Sequence, residues 1–215
     1  MKIKNTNAGF FHRLKHDEEF QIKAFSFLII KSLVIFLITA IIIGNKEFVY
    51  YDLVILPLVL FVFFVHRRIQ MHMLVTSLLY VIFIMHAAGG VMHIAGTRLY
   101  DITFGIIKFD NIVHFLGSFV TLLIVYGLFT HYVNRKGKRF NEFYLFILLV
   151  LCSAGVGTLI EMVELIGVVF FDASEGVGNY MNNAIDLFVN LLGAIAAGIF
   201  VLRYRRRKLF KKLID

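Results

Sequence analysis

Six apolar runs, each close to the length needed to cross a lipid bilayer, constrain this 215-residue chain more than any other feature. A helix rises about 1.5 Å per residue, so about 20 apolar residues cross the hydrocarbon. The runs cover residues 24–43, 49–65, 73–95, 110–132, 143–171 and 183–202. Apolar residues make up 60% of the chain and charged residues 17%, whereas soluble domains are about 45–50% apolar and about 25% charged. The sequence therefore predicts an all-α, polytopic membrane bundle of six transmembrane helices.

The distribution of basic residues predicts how these helices are oriented. Of the 22 Lys and Arg residues, only Lys46, Arg98 and Lys108 lie on one predicted side of the membrane; Lys31 lies inside the first run, and the rest lie on the other side. Because basic residues concentrate in cytoplasmic loops, both termini are predicted to be cytoplasmic. The net charge of +8 then reflects topology rather than nucleic-acid binding. The predicted divisions are a cytoplasmic N-terminal segment (1–23), a six-helix membrane domain (24–202) and a basic cytoplasmic tail (203–215).

Polar residues inside the last four predicted helices lie almost entirely in the outer halves of those helices. Such residues are costly in lipid and normally face the bundle interior. Within each helix they recur at intervals of three, four or seven residues, which places them on one helix face. Four polar faces are therefore predicted to meet in one pocket under an external loop. The residues concerned are His86 and His93, Asp110 and His114, Glu161 and Glu164, and Asn183, Asp186 and Asn190, with Tyr100 and Asp101 in the loop.

These residue types suit two kinds of chemistry, and the sequence leaves both open. Imidazole and carboxylate suit Zn, Fe or Mn, and the predicted ligands of a divalent metal are His86, His93, His114, Glu161 and Asp186. Crowded carboxylates also act as acid and base without a metal, and the candidate catalytic residues are Asp110, His114, Glu161, Glu164 and Asp186. The candidate substrate contacts are Tyr100, Asp101, Asn183 and Asn190. A metal is favoured because the last four spans supply no positive charge to the carboxylates. A buried network that only fixes helix register is the third alternative.

Five further residues have expected structural roles. Asp52 is expected to be an interfacial residue near the outer end of the second helix. Gly89 and Gly90 are expected to let another backbone approach the third helix closely. Gly155 and Gly157 are expected to mark a bend or a close helix contact in the long fifth helix.

Three stretches carry a family resemblance: Asp110-Asn-Ile-Val-His114-Phe-Leu-Gly, Glu161-Met-Val-Glu164 and Asp186-Leu-Phe-Val-Asn190-Leu-Leu-Gly193. Their order and spacing resemble the VanZ-like membrane family. The stretch His86-Ala-Ala-Gly-Gly90, with Tyr100 and Glu164, is closer still to the bacterial inner-membrane YjdF-like family. The resemblance covers about residues 80–200 and implies a multi-pass protein of the bacterial cytoplasmic (inner) membrane. VanZ-like proteins are linked with resistance to lipophilic glycopeptide antibiotics, without an established reaction.

This chain departs from the VanZ-like pattern in two places. VanZ-like proteins often have Gln where this chain has Glu164, and they carry an Arg in the loop before the last span. Here no basic residue occurs between Asp172 and Asn183. The departure puts a role for that loop in binding an anionic substrate in doubt.

The predicted function is that of an integral-membrane enzyme, metal-assisted or metal-free, acting at the outer leaflet on a lipid or lipid-linked envelope substrate. A transporter is one alternative, although it predicts inverted repeats and polar residues continuing to the cytoplasmic side, and the sequence shows neither. A non-catalytic envelope protein that binds lipid or a partner is another. Membrane lipids and a lipid-linked substrate are the predicted partners, nucleic acid is not, and the oligomeric state is left open.

Overall fold

Six long helices form the framework of the protein in a computed structural model that describes residues 9, 17–69, 71–133, 141–171 and 180–206. The helices are α1 (Glu18–Ile42), α2 (Lys46–Ile69), α3 (Met73–Val91), α4 (Phe109–Val133), α5 (Glu142–Phe171) and α6 (Tyr180–Arg206). Each is long and apolar enough to cross a membrane. The predicted all-α polytopic bundle is confirmed.

Helix boundaries follow local capping and differ from the predicted runs by a few residues at most ends. Asp17 accepts a 3.1 Å hydrogen bond from the Phe20 backbone N–H and so caps α1. In the turn before α2, Asn45 accepts a 3.1 Å bond from the Phe48 N–H. Pro57 lies inside α2 without ending it. Most or all of three predicted parts lies outside the described residues: the cytoplasmic N-terminal segment, the basic loop before α5 and the C-terminal tail.

Two small β-hairpins and one turn of 3-10 helix connect α3 to α4. Strands β1 (His93–Ile94) and β2 (Thr97–Arg98) pair antiparallel, as do β3 (Thr103–Phe104) and β4 (Ile107–Lys108), and the 3-10 helix Leu99–Asp101 lies between the pairs. The first turn has positive φ at Ala95 (51°) and Gly96 (83°), which matches a type I′ hairpin turn. The name hairpin end is used below for the end of the bundle at which α3 stops and α4 starts.

Buried apolar residues form two clusters. The smaller one, at the hairpin end, is built mainly from aromatic and β-branched residues: Ala40, Phe48, Tyr50, Tyr51, Val91, Tyr100 and Val113. The larger one joins α4, α5 and α6 to the ends of α2 and α3 remote from the hairpins, and it includes Leu122, Leu145, Leu149, Ala194, Ala197 and Val201. Polar residues of the candidate site therefore lie towards the hairpin end of a bundle whose other part is filled by apolar side chains.

Glycines allow several of the closest contacts between elements. A Cβ on Gly193 of α6 would lie 2.2 Å from the carbonyl oxygen of Phe115 in α4, so the two backbones touch at this point. Gly89 and Gly90 admit the rings of Tyr100 and Phe48, which confirms the expected close approach, although by side chains rather than by a backbone. The expected contact at Gly157 is also confirmed, because a Cβ there would lie 3.0 Å from the Asn190 amide.

One expectation from the sequence is wrong at this level, and one of the two glycines named in α5 makes no close contact. Asp52 is not interfacial: it is 2% exposed, because its helix face packs into the bundle rather than towards lipid or headgroups. A methyl group added at Gly155 would meet nothing within 4 Å, so no close helix contact depends on this glycine.

Candidate functional site

His114 is the centre of the site, and a carboxylate faces each of its ring nitrogens. Nε2 lies 3.5 Å from Asp110 Oδ1, one turn earlier in α4. Nδ1 lies 3.5 Å from Glu161 Oε1, which projects from α5. The His114 side chain is 10% exposed, so both contacts lie in a largely dehydrated place. Carboxylates so placed fix the orientation of the ring and stabilise its protonated form.

Asp186 of α6 lies beside this group and is held by two side-chain amides. Its Oδ1 accepts a 2.9 Å hydrogen bond from Asn111 Nδ2, and its Oδ2 accepts a 2.7 Å bond from Asn182 Nδ2. The Asn182 oxygen in turn accepts a 3.0 Å bond from Lys108 Nζ, at the end of β4. Asp186 is 1% exposed, and these bonds offset part of the cost of burying a carboxylate.

Asp110, His114 and Asp186 together could hold a metal ion. One ligand atom from each lies within 4.8 Å of the others, and two carboxylates with one imidazole suit Zn, Fe or Mn. Glu161, also predicted as a ligand, is not one of this group of three, although both of its oxygens are buried and have no hydrogen-bond partner among the described residues. The carboxylates facing His114 match the usual support of a metal-bound imidazole, in which one ring nitrogen binds and the other donates to a carboxylate. The donor set therefore fits a divalent metal.

An open cavity adjoins this group at the hairpin end. Its enclosed part measures about 20 Å³, which is room for about one water molecule or a polar group of similar size. Asp110 belongs to both the cavity wall and the His114 group. The lining residues are Glu47, Tyr51, His86, Tyr100, Asp110, Glu164 and Asn182.

Tyr100 and His86 form a polar contact in the cavity wall. The Tyr100 hydroxyl is hydrogen-bonded to His86 Nδ1, and their ring centroids lie 5.8 Å apart. Burial, reinforced by the negative charges of Asp110 and Glu164, raises the pKa of Tyr100 well above its ordinary value. The hydroxyl therefore keeps its proton at physiological pH and can donate it to His86.

The structure brings together some of the predicted site residues and separates others. Asp110, His114, Glu161 and Asp186 form one group, and His86, Tyr100 and Glu164 line the adjoining cavity. His93 lies apart from both groups. The helical face that it was predicted to share with His86 does not exist, because α3 ends at Val91 and His93 is exposed in β1.

Three predicted substrate contacts also lie outside the cavity wall. Asp101 is half exposed and forms a 2.9 Å ion pair with Arg98. Asn190 is 3% exposed and accepts a 2.9 Å hydrogen bond from Ser118, deeper in the bundle. Asn183 lies in the first turn of α6, where its neighbour Asn182 is the amide that reaches the cavity.

Sequence reasoning missed several residues of the site. Glu47 and Tyr51 of α2 line the cavity, and their spacing of four residues is a signal that could have found them. The positive charge near the carboxylates comes from the α3–α4 connection, through Lys108 on Asn182 and Arg98 on Glu47. The spans alone indicated that a metal must supply the positive charge. These two basic residues supply positive charge as well, so that argument for a metal no longer holds.

Comparison with known proteins places the chain in a family. A family model described as "Predicted membrane protein (DUF2238)" matches residues 24–207. The chain belongs to the DUF2238 family. Every residue of the His114 group and of the cavity lies within the part that matches DUF2238. No curated protein and no solved structure matches this DUF2238 chain.

Proposed function

We propose that this DUF2238 protein is an integral-membrane enzyme that acts on a lipid or lipid-linked envelope substrate at the outer leaflet of the bacterial inner membrane. The observation that carries the proposal is the His114 ring between Asp110 and Glu161, next to a cavity that Asp110 also lines. Buried ionisable groups in a membrane bundle are costly and mark functional sites more often than structural ones. The resemblance to VanZ-like and YjdF-like proteins supports an envelope location.

The proposed chemistry is general acid–base catalysis by the Asp110–His114 pair. Asp110, which lines the cavity, takes the proton of an attacking hydroxyl or water and returns it to the leaving group, while His114, held in its charged form between Asp110 and Glu161, supplies the positive charge beside it. Asp110 extends from His114 to the cavity wall, so substrate in the cavity lies close to the ring. Such positioned proton transfer contributes about 10²–10⁴-fold to a rate.

Metal-assisted chemistry is the alternative use of the same residues, because a metal-bound imidazole is neutral and does not carry the second proton. Asp110, His114 and Asp186 would hold the metal, and Glu161 would orient the His114 ring through the nitrogen that it faces. When bound, a metal of this kind acts as a Lewis acid on a carbonyl or phosphoryl oxygen and lowers the pKa of bound water. The amides of Asn111 and Asn182 would then orient the Asp186 carboxylate.

Lipid analysis of cells that express the protein tests the enzymatic proposal. We expect wild-type protein to change the mass spectrum of extracted lipids and lipid-linked precursors, and His114→Gln and Glu161→Gln to abolish that change. His131→Gln is the matched control, because His131 lies in the last turn of α4, away from the hairpin end. Detergent-purified variants are compared by thermal unfolding to establish that they fold. Identical lipid profiles for wild type and folded His114→Gln would refute the proposal.

Cysteine labelling tests the orientation on which the outer-leaflet assignment depends. A Cys152→Ser background removes the single native thiol, which is exposed on α5. Ile106 is 99% exposed in the second hairpin, so Ile106→Cys should react with an impermeant reagent in intact cells, and Gly137→Cys should react only after lysis. The reverse pattern would move the site to the cytoplasmic leaflet.

A further inference from the structure

The cavity wall is acidic, and it carries a buried hydroxyl with no hydrogen-bond partner. Of the seven lining residues, three are carboxylates and none is Lys or Arg. Tyr51 is 6% exposed, and its hydroxyl has no hydrogen-bond partner among the described residues. Because an unsatisfied buried hydroxyl is costly, this one indicates a polar ligand in the cavity.

The three carboxylates differ in how far the protein balances their charges. Arg98 Nη1 lies 3.5 Å from Glu47, and His114 lies 3.5 Å from Asp110. Glu164 is half-buried, and it takes part in no ion pair within the described part of the chain. The wall therefore holds a carboxyl group at Glu164 that no cation among the described residues balances, in the same cavity as the orphaned Tyr51 hydroxyl.

We infer that this cavity binds a primary ammonium group, carried by a lipid headgroup or by a small soluble amine. An ammonium has three N–H donors and no acceptor, which matches a wall rich in carboxylate oxygens and offers a donor to the Tyr51 oxygen. Its positive charge balances Glu164. A trimethylammonium group fits less well, because it has no N–H for Tyr51.

The position of the cavity suits a headgroup. It lies at the hairpin end, among the first turns of α4 and α6 and beside the α3–α4 connection, where the transmembrane helices meet the polar interface. Beside it the neighbouring helices carry exposed apolar side chains on the outside of the bundle, including Leu165 (56%) and Leu53 (58%). Acyl chains can therefore lie along the bundle while the headgroup enters the wall. This inference rests on the proposed function, since it names the substrate or ligand class of the same site.

Native mass spectrometry of the purified protein tests the inference without any need for turnover. The probes are phosphatidylethanolamine, phosphatidylcholine and phosphatidylglycerol with identical acyl chains, each titrated into the detergent-solubilised protein. We expect the ethanolamine lipid to bind at least tenfold more tightly than the other two. Free ethanolamine as competitor separates the two sources: displacement at comparable concentration indicates a soluble amine, and failure to displace indicates that the lipid is required.

Two variants with matched controls locate the binding. Glu164→Gln should weaken ethanolamine-lipid binding about ten- to a hundredfold, as expected for loss of a charge-assisted hydrogen bond, whereas Glu142→Gln at the far end of α5 should not. Tyr51→Phe should weaken binding several-fold while leaving the melting temperature of ligand-free protein unchanged or higher, because it removes an orphaned hydroxyl. Tyr144→Phe, at a residue 68% exposed, is its control.

The outcomes separate this inference from the proposed catalytic role of His114. Equal affinity for the three lipids, or ethanolamine-lipid binding that is insensitive to Glu164→Gln, would overturn the ammonium site and leave the His114 experiments unaffected. Conversely, His114→Gln should retain selective binding of the ethanolamine lipid. If this variant binds the ethanolamine lipid selectively and lipid profiles do not depend on His114, the ammonium site is supported and only the enzymatic proposal is refuted.

Discussion

Gly193→Ala should separate α4 from α6 and disrupt the site from a distance. The added Cβ would lie 2.2 Å from the Phe115 carbonyl oxygen and 3.0 Å from its carbon. These are backbone atoms that cannot rotate away. Because non-bonded heavy atoms normally lie about 3.5 Å apart, the two helices would have to move apart by roughly 1 Å at this point.

The cost follows from what this interface holds together. Overpacking of a tight interior costs about 1–3 kcal/mol. The same interface carries two 2.9 Å hydrogen bonds, from Asn111 to Asp186 and from Ser118 to Asn190, and each one lost adds about 1 kcal/mol. At roughly 2–4 °C per kcal/mol for a chain of this size, the melting temperature should fall by several degrees or more.

Thermal loss of helical circular dichroism in detergent measures the effect. Gly117→Ala is the matched control, because it adds the same methyl group to α4 where nothing lies within 4 Å. That variant should be neutral or should gain up to about 1 kcal/mol from better helix propensity. Equal melting temperatures for Gly193→Ala and Gly117→Ala would refute the argument that the α4–α6 contact is rigid.

Three other perturbations test the remaining contacts. Gly90→Ala would put a Cβ 1.5 Å from the Phe48 ring, so it should lower the melting temperature. A second change, Phe48→Leu, should restore part of the loss. If the double variant melts no higher than Gly90→Ala alone, the described contact between Gly90 and Phe48 is wrong. Asp52→Asn removes the charge from a buried carboxylate whose Oδ2 has no partner among the described residues, so the melting temperature should stay the same or rise. Asp186→Asn disturbs the two hydrogen bonds that side-chain amides donate to this carboxylate, so it should lower the melting temperature. Elemental analysis should find bound metal in the wild-type protein and none in His114→Ala. Metal binding should weaken as pH falls through about 6, because protons compete for imidazole and carboxylates. Equal amounts of metal in wild type and variant would contradict the proposed ligand set.

The sequence was sufficient to predict the helices and the inward position of the polar side chains around His114. Apolar runs of transmembrane length are a direct physical signal, because the bilayer fixes their length. The spacings of Asp110 from His114 and of Asp186 from Asn190 correctly indicated inward-facing stripes, since four residues in a helix return to the same face. Polar side chains in a membrane helix normally face the bundle interior, because exposure to lipid is costly.

Contacts that depend on the α3–α4 connection could not be predicted. The histidine pair failed because helical spacing was extended past the end of α3, where the chain turns into a hairpin at Ala95 and Gly96. The Gly89-Gly90 pair was a signal that the helix is weak there. Depth along a helix also does not reveal which side faces the bundle, and for that reason Asp52 was placed at the interface and Tyr51 was overlooked.

The hydrogen bonds between α4 and α6 also bear on how the protein is made. Asn111 and Ser118 find their partners in Asp186 and Asn190, more than seventy positions later in the chain. During synthesis α4 and α5 enter the membrane before α6 exists, so the polar groups that α6 later satisfies begin without these partners. Insertion of α6 completes the bundle and gives these polar groups their hydrogen-bond partners. A nascent chain stalled before Tyr180 should therefore be recognised by membrane quality control as unfinished, even though five of its helices have already inserted.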